Sequence, residues 1–208
     1  MEKIKNLFSG KFFKIFKWIF LILFAGYVIL VAVRVVHFFN EDKTNAQVEK
    51  IHMTKLQLSD VLGDNLPPDP GPEADKTVEG IDANENGIRD DVELAIFEEY
   101  PDSAKTRAVL LQYALALQME VNQPFVNTTI ATEVVREEDR AFQCIGEIFS
   151  REDMTKFIEN SDELVFFVEN RQFNTPERKE SRENFYKDVR SYGSLDRVCD
   201  IDYLKLSN

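Results

Sequence analysis

Between Trp18 and Val33 the chain carries no charge at all: WIFLILFAGYVILVAV. As a helix these residues extend about 24 Å, slightly short of a ~30 Å hydrocarbon core. Lys17 and Arg34 can snorkel from the two ends, and apolar character resumes at Val35, Val36, Phe38 and Phe39. A cleaved signal peptide is the competing reading. Its apolar region is normally shorter, and no A-x-A-like cleavage site follows this one. Residues 18–39 are therefore expected to form a single transmembrane anchor in contact with the lipid bilayer.

The flanks give the anchor a direction. Lys3, Lys5, Lys11, Lys14 and Lys17 precede it, whereas Glu41 and Asp42 follow, partly offset by Lys43. The positive-inside rule then puts residues 1–17 in the cytoplasm and the C-terminal domain outside, in the periplasm if the membrane is a bacterial inner membrane. The interleaved Lys, Phe and Ile of KIKNLFSGKFFKIFK suit either a segment lying along the inner head groups or a plain anchor flank. Of the net charge of −12, the first 39 residues contribute +5 (six basic residues against Glu2), which leaves −17 for the remainder. So acidic a body repels nucleic acid and attracts divalent cations or basic partners.

Beyond the anchor, residues 40–62 read as a tether helix with Val48, Ile51, Leu58 and Leu62 on one stripe that Lys55 interrupts. Residues 63–76, rich in proline and poor in apolar side chains, read as a semi-rigid linker. The folded domain is thus expected over 77–208. Its signals are helical almost throughout. Val92, Ala95, Ile96 and Tyr100 mark a short helix stopping before Pro101; Asp102 or Ser103 caps the next, whose centre AVLLQYALALQM is apolar nearly all round. Thr128 or Thr129 opens a third helix with Val134, Ala141, Phe142, Ile145 and Phe149 inward and the charged run Arg136–Arg140 mostly facing solvent. Ser150-Arg151-Glu152-Asp153 resembles a capping box, a break is expected near Ser161, and Thr175-Pro176-Glu177 starts a last helix extending to about Tyr192. The fold class is all-α, a bundle of five or six helices.

One stretch of this domain carries a specific chemical pattern. Asp82-Ala83-Asn84-Glu85-Asn86-Gly87-Ile88-Arg89-Asp90-Asp91-Val92-Glu93 fits D-x-[DN]-x-[DN]-G-x5-E at every fixed position. The pattern resembles an EF-hand loop. That resemblance implies side-chain oxygens from Asp82, Asn84 and Asn86, a sharp turn at Gly87, the backbone oxygen of Ile88, Asp90 directly or through water, and bidentate Glu93, all around Ca2+. It departs from the family in holding Arg89 where an aliphatic residue is usual, and in lacking an incoming helix, since prolines and glycines crowd the approach. It is closest in kind to the solitary EF-hand-like loops of bacterial extracytoplasmic proteins, including dockerin-type modules. Without a paired loop, the ion is expected to act as a structural clamp and not as a switch. The alternative is an Asn/Gly turn leading into a helix with an acidic first turn.

Cys144 and Cys199 are expected to pair in an exported domain, with two buried free thiols as the alternative. His37 and His52 are read as lying outside the folded unit, so zinc by Cys and His is not expected. No phosphate loop and no G-x-S-x-G occurs. Glu180-Ser181 superficially resembles the catalytic pair of helical lytic transglycosylases, but the charged surroundings and the missing later motif favour an exposed helix face. The expectation is a membrane-anchored, calcium-stabilised binding or structural module without catalytic residues. The alternative is a calcium-independent subunit that recruits an envelope protein.

Overall fold

Residues 10–195 and 198–206 are described by the computed structural model, with side chains from 13 onward. Residues 1–9 of the basic N-terminal segment, expected in the cytoplasm, lie outside the described residues. The apolar run and the first part of the tether form one helix, α1 (Gly10–Met53), with no break at the anchor's end. It is the one described helix long and apolar enough to cross a membrane. Large apolar side chains from Phe13 to Phe39 are exposed around its whole circumference, as a lipid-facing helix requires.

The second compact unit runs from Gln47 to the C-terminus, some thirty residues earlier than the expected start at 77. Ile51, Leu56 and Val61 are buried in its core, so the tether is part of the domain. Nor is the tether one helix: Thr54–Gln57 interrupt it before a short α2 (Leu58–Leu62). The proline-rich stretch is likewise packed. It holds a 3-10 turn at Gly71–Asp75, buries Ala74, and is gripped by Arg178, which is 1% exposed. That side chain donates to the backbone oxygens of Ala74, Thr77 and Val78 and to the Asp75 carboxylate. Carbonyls that would be solvated in a linker thus satisfy a buried guanidinium.

The remaining elements are α3 (Asp90–Glu99), α4 (Ala104–Met119), α5 (Thr128–Glu147), α6 (Met154–Gln172), α7 (Pro176–Tyr186) and a 3-10 turn at Tyr203–Lys205. No strand occurs among the described residues. α4 is the central rod, buried on nearly every face and surrounded by α2, α3, α5 and α6. Its polar residues are satisfied inside: Gln112 bonds the C-terminal segment at Val198 and Asp200, and Gln118 bonds the Glu79 carbonyl and Gln172. Caps fall largely where the sequence signals them. Ser103 accepts from Thr106 and Thr175 from Arg178, with Pro176 at the first helical position; α5 begins at Thr128, but its cap is Asn127, accepting from Ile130 N–H.

Three boundaries differ from expectation for local reasons. Asp153 caps α6 in place of Ser150, because its carboxylate accepts two backbone N–H groups, from Thr155 and Lys156. No break occurs at Ser161, which continues the buried stripe of Leu164 and Val168. α7 ends at Tyr186 and not near Tyr192; Arg190 N–H donates to Thr132 Oγ1 at 3.1 Å, drawing the chain across α5. Phe142 sits on the flank of α5, 47% exposed, while Val134, Ala141 and Ile145 fill the core.

Candidate metal site

The loop from Asp82 to Glu93 is closed at its ends by Asp90 N–H donating to Ile81 O at 2.8 Å. Asp82 organises the first turn, its carboxylate accepting from Asn86 N–H at 3.1 Å and Gly87 N–H at 2.9 Å. Gly87 has φ +86°, the left-handed conformation required at the sixth position, and a Cβ there would stand 2.7 Å from Leu115 Cδ1. Asp90 accepts from Ala83 N–H at 3.0 Å. From the first turn of α3, Glu93 reaches back under the loop. Its Oε2 accepts from Asn84 Nδ2 and Asn86 Nδ2, each at 3.0 Å. Its Oε1 is buried with no hydrogen-bond partner.

Burial dominates the electrostatics. It pushes Glu93 up to about 7, opposed by its two asparagine donors and reinforced by the charges of Asp60 and Asp90. Burial raises Asp82 and Asp90 as well, against the backbone bonds that favour their ionised forms. A cation among these oxygens would reverse that penalty.

No protein family, no curated protein and no solved structure matches this chain.

Of the residues expected to bind calcium, Asn84, Asn86 and Glu93 are in direct contact, and Asp82 and Asp90 hold the same loop closed from its other positions. Ile88 sends its side chain into the core, fully buried. Among the described residues no group of three or more His, Cys, Asp or Glu side chains stands where it could hold a metal ion. Two asparagines separate the carboxylates and present amide N–H groups to Glu93. A half-turn of each amide would present its oxygen to the same point. The donor set, carboxylate and amide oxygens alone, suits a hard cation, and the unpartnered Glu93 Oε1 at position twelve fits one.

Arg89, which departs from the EF-hand pattern, has a defined task. Fully buried, it pairs with Asp91 through Nε and Nη2, and it donates to Arg171 O at 2.6 Å and Gln172 O at 2.9 Å. The loop thereby places a cation on the last carbonyls of α6, where the helix dipole favours one.

Two charged constellations went unrecognised in the sequence. His52 belongs to the folded unit, with its ring nitrogens 2.7 Å from Glu137 and 3.0 Å from Glu133. Glu137 also accepts from Lys55 and Arg140, and burial is outweighed there by these donors, so its carboxyl is held below the usual range. In the second, Arg182 of α7 stands 3.0 Å from Glu138, 3.0 Å from Glu169 and 3.7 Å from Glu120. Glu137, Glu138 and Arg140 are all buried, so the charged run of α5 is not its solvent side. Helical spacing carried the signal: Glu138 falls on the stripe of Val134, Ala141 and Ile145.

Cys144 and Cys199 form a disulfide, with Cα atoms 5.2 Å apart. Glu180 is exposed on α7.

Proposed function

We propose that the protein is a membrane-anchored helical module in which Asp82–Glu93 binds one Ca2+ as a structural clamp. Asp82, Asn84, Asn86, Ile88 O, Asp90 and Glu93 supply the ligands. The carrying observation is the buried, unpartnered Oε1 of Glu93 at the closing position of a complete loop pattern. The bound ion would supply charge compensation, lowering the cost of burying Asp82, Asp90 and Glu93 together. Through Arg89 the same loop steadies the end of α6. The run of lysines ahead of the apolar span supports a cytoplasmic N-terminus and a periplasmic domain, where calcium is plentiful.

Full-length protein in detergent micelles, melted in calcium and in chelator, provides the test. At free calcium tenfold above Kd the clamp adds about 1.4 kcal/mol, lost in Asp82→Ala and Glu93→Gln. Equal melting points in calcium and chelator would exclude the ion. They would favour the second reading, an envelope interaction subunit, to which the loop's own closing hydrogen bonds lend support.

A further inference from the structure

On the face of the bundle where α5 and α7 meet, a cleft of about 190 Å³ is walled by Tyr113, Phe142, Tyr186 and Tyr192 with Glu138 and Asp139. That volume is below the range of drug-sized ligand pockets, so the occupant is small. Tyr113 is the buried floor of the cleft, 2% exposed, and the other three rings reach the surface. Phe142 is 47% exposed and Tyr192 41% exposed, so both rings are open to a ligand in the cleft. Tyr192 is also held in place. The segment after α7 is pinned to α5 on both sides of it, by Arg190 N–H to Thr132 Oγ1 at 3.1 Å and by Arg136 Nε to Gly193 O at 2.9 Å.

Behind the aromatic walls, negative charge is in excess. Glu138 accepts from Arg182 at 3.0 Å and from the Tyr186 hydroxyl. Asp139 accepts from neutral donors, Gln143 Nε2 at 2.8 Å and Ser194 Oγ at 3.0 Å. Among the described residues, Arg182 is the one cation serving Glu120, Glu138 and Glu169 together. Glu120, facing Glu138 and 3% exposed, keeps its proton at neutral pH because of burial and the Glu138 charge, so the unmet charge is that of Glu138, Glu169 and Asp139. The cluster is therefore short of positive charge, and ring faces beside carboxylates are what attracts a weakly hydrated cation.

The geometry points to a binding site for a small alkylammonium group, seated against Phe142 and Tyr192 with Glu138 and Asp139 as counter-charges. The chemistry is common to a free amine and to a lipid head group. The cleft owes nothing to the calcium loop, and the two readings stand or fall separately.

The test titrates tetramethylammonium into full-length protein in phosphatidylglycerol nanodiscs, read by calorimetry and by saturation transfer from aromatic protons to the probe's methyl groups. Saturable binding is expected, with tert-butanol, its neutral counterpart, failing to compete. Phe142→Ala, Tyr192→Ala and Asp139→Asn should each weaken it at least tenfold, whereas Tyr192→Phe, which keeps the ring, should retain it; circular dichroism checks that each variant is folded. Weaker apparent affinity in phosphatidylcholine discs would support the site with a lipid head group as its source, and unchanged affinity would support it with a free amine. Absence of saturable binding, equal response to tert-butanol, or full binding by folded Phe142→Ala and Asp139→Asn would overturn it.

Discussion

Arg89 Nη1 donates to the backbone oxygen of Gln172 at 2.9 Å, joining loop position eight to the last residue of α6 across 83 positions of sequence. With Arg89 fully buried, Arg89→Ala strands two helix-end carbonyls and the Asp91 carboxylate. A loss of about 3 kcal/mol is expected in urea unfolding of the full-length protein. Arg89→Lys should recover less than half, because an ammonium cannot reproduce the planar fork.

Gly80 makes room for that arginine. Its φ is +72°, and a Cβ would fall 2.3 Å from Arg89 Cδ. Gly80→Ala should therefore cost on the order of 2 kcal/mol from backbone strain and overlap. In the double variant with Arg89→Ala the overlap vanishes, so the two losses should sum to less than their separate values in a double-mutant cycle.

Glu120 sets a pH dependence. Burial first, then the Glu138 charge, holds its carboxyl up at about 9 against an ordinary 4.5. The folded state thus keeps a proton that the unfolded chain releases. Stability from this group is complete below about pH 4.5 and declines as pH rises toward 9. Glu120→Gln removes the charge and keeps the shape. Its unfolding free energy should be flatter over that window and exceed that of the parent by about 2 kcal/mol near pH 8, in urea titrations at matched ionic strength.

The disulfide closes a separation of 55 residues between α5 and the C-terminal segment. Loop-closure entropy alone makes it worth about 4 kcal/mol. Reduction, or Cys144→Ser with Cys199→Ser, should lower the melting point by that equivalent. It should also release Val198 and Asp200 from Gln112, detectable as faster amide exchange in residues 198–206.

Helix positions were legible because their signals are local. Ser103, Thr175 and Pro176 act within one turn of the residues they cap, and the apolar face of α4 follows from its own spacing. The oxygen-rich loop was legible for the same reason, its candidate ligands lying within twelve residues. What stayed hidden depends on pairs far apart in the chain. The stripe of Val134, Ala141 and Ile145 marks Glu138 as inward, but nothing near it announces that Arg182 will meet it from α7. Proline density at 67–72 misled similarly: it signals an extended backbone, yet says nothing of the arginine at 178 that uses the adjoining carbonyls.

That arginine decides where the protein can be cut. A polypeptide severed ahead of Thr77 forfeits Ile51, Leu56, Val61 and Ala74 from its interior and strips Arg178 of its bonds to Ala74 and Asp75. The proline-rich stretch is thus no seam along which evolution could splice this domain onto another helix. The end of α1 from Gln47 onward and the bundle must be inherited together, as one piece.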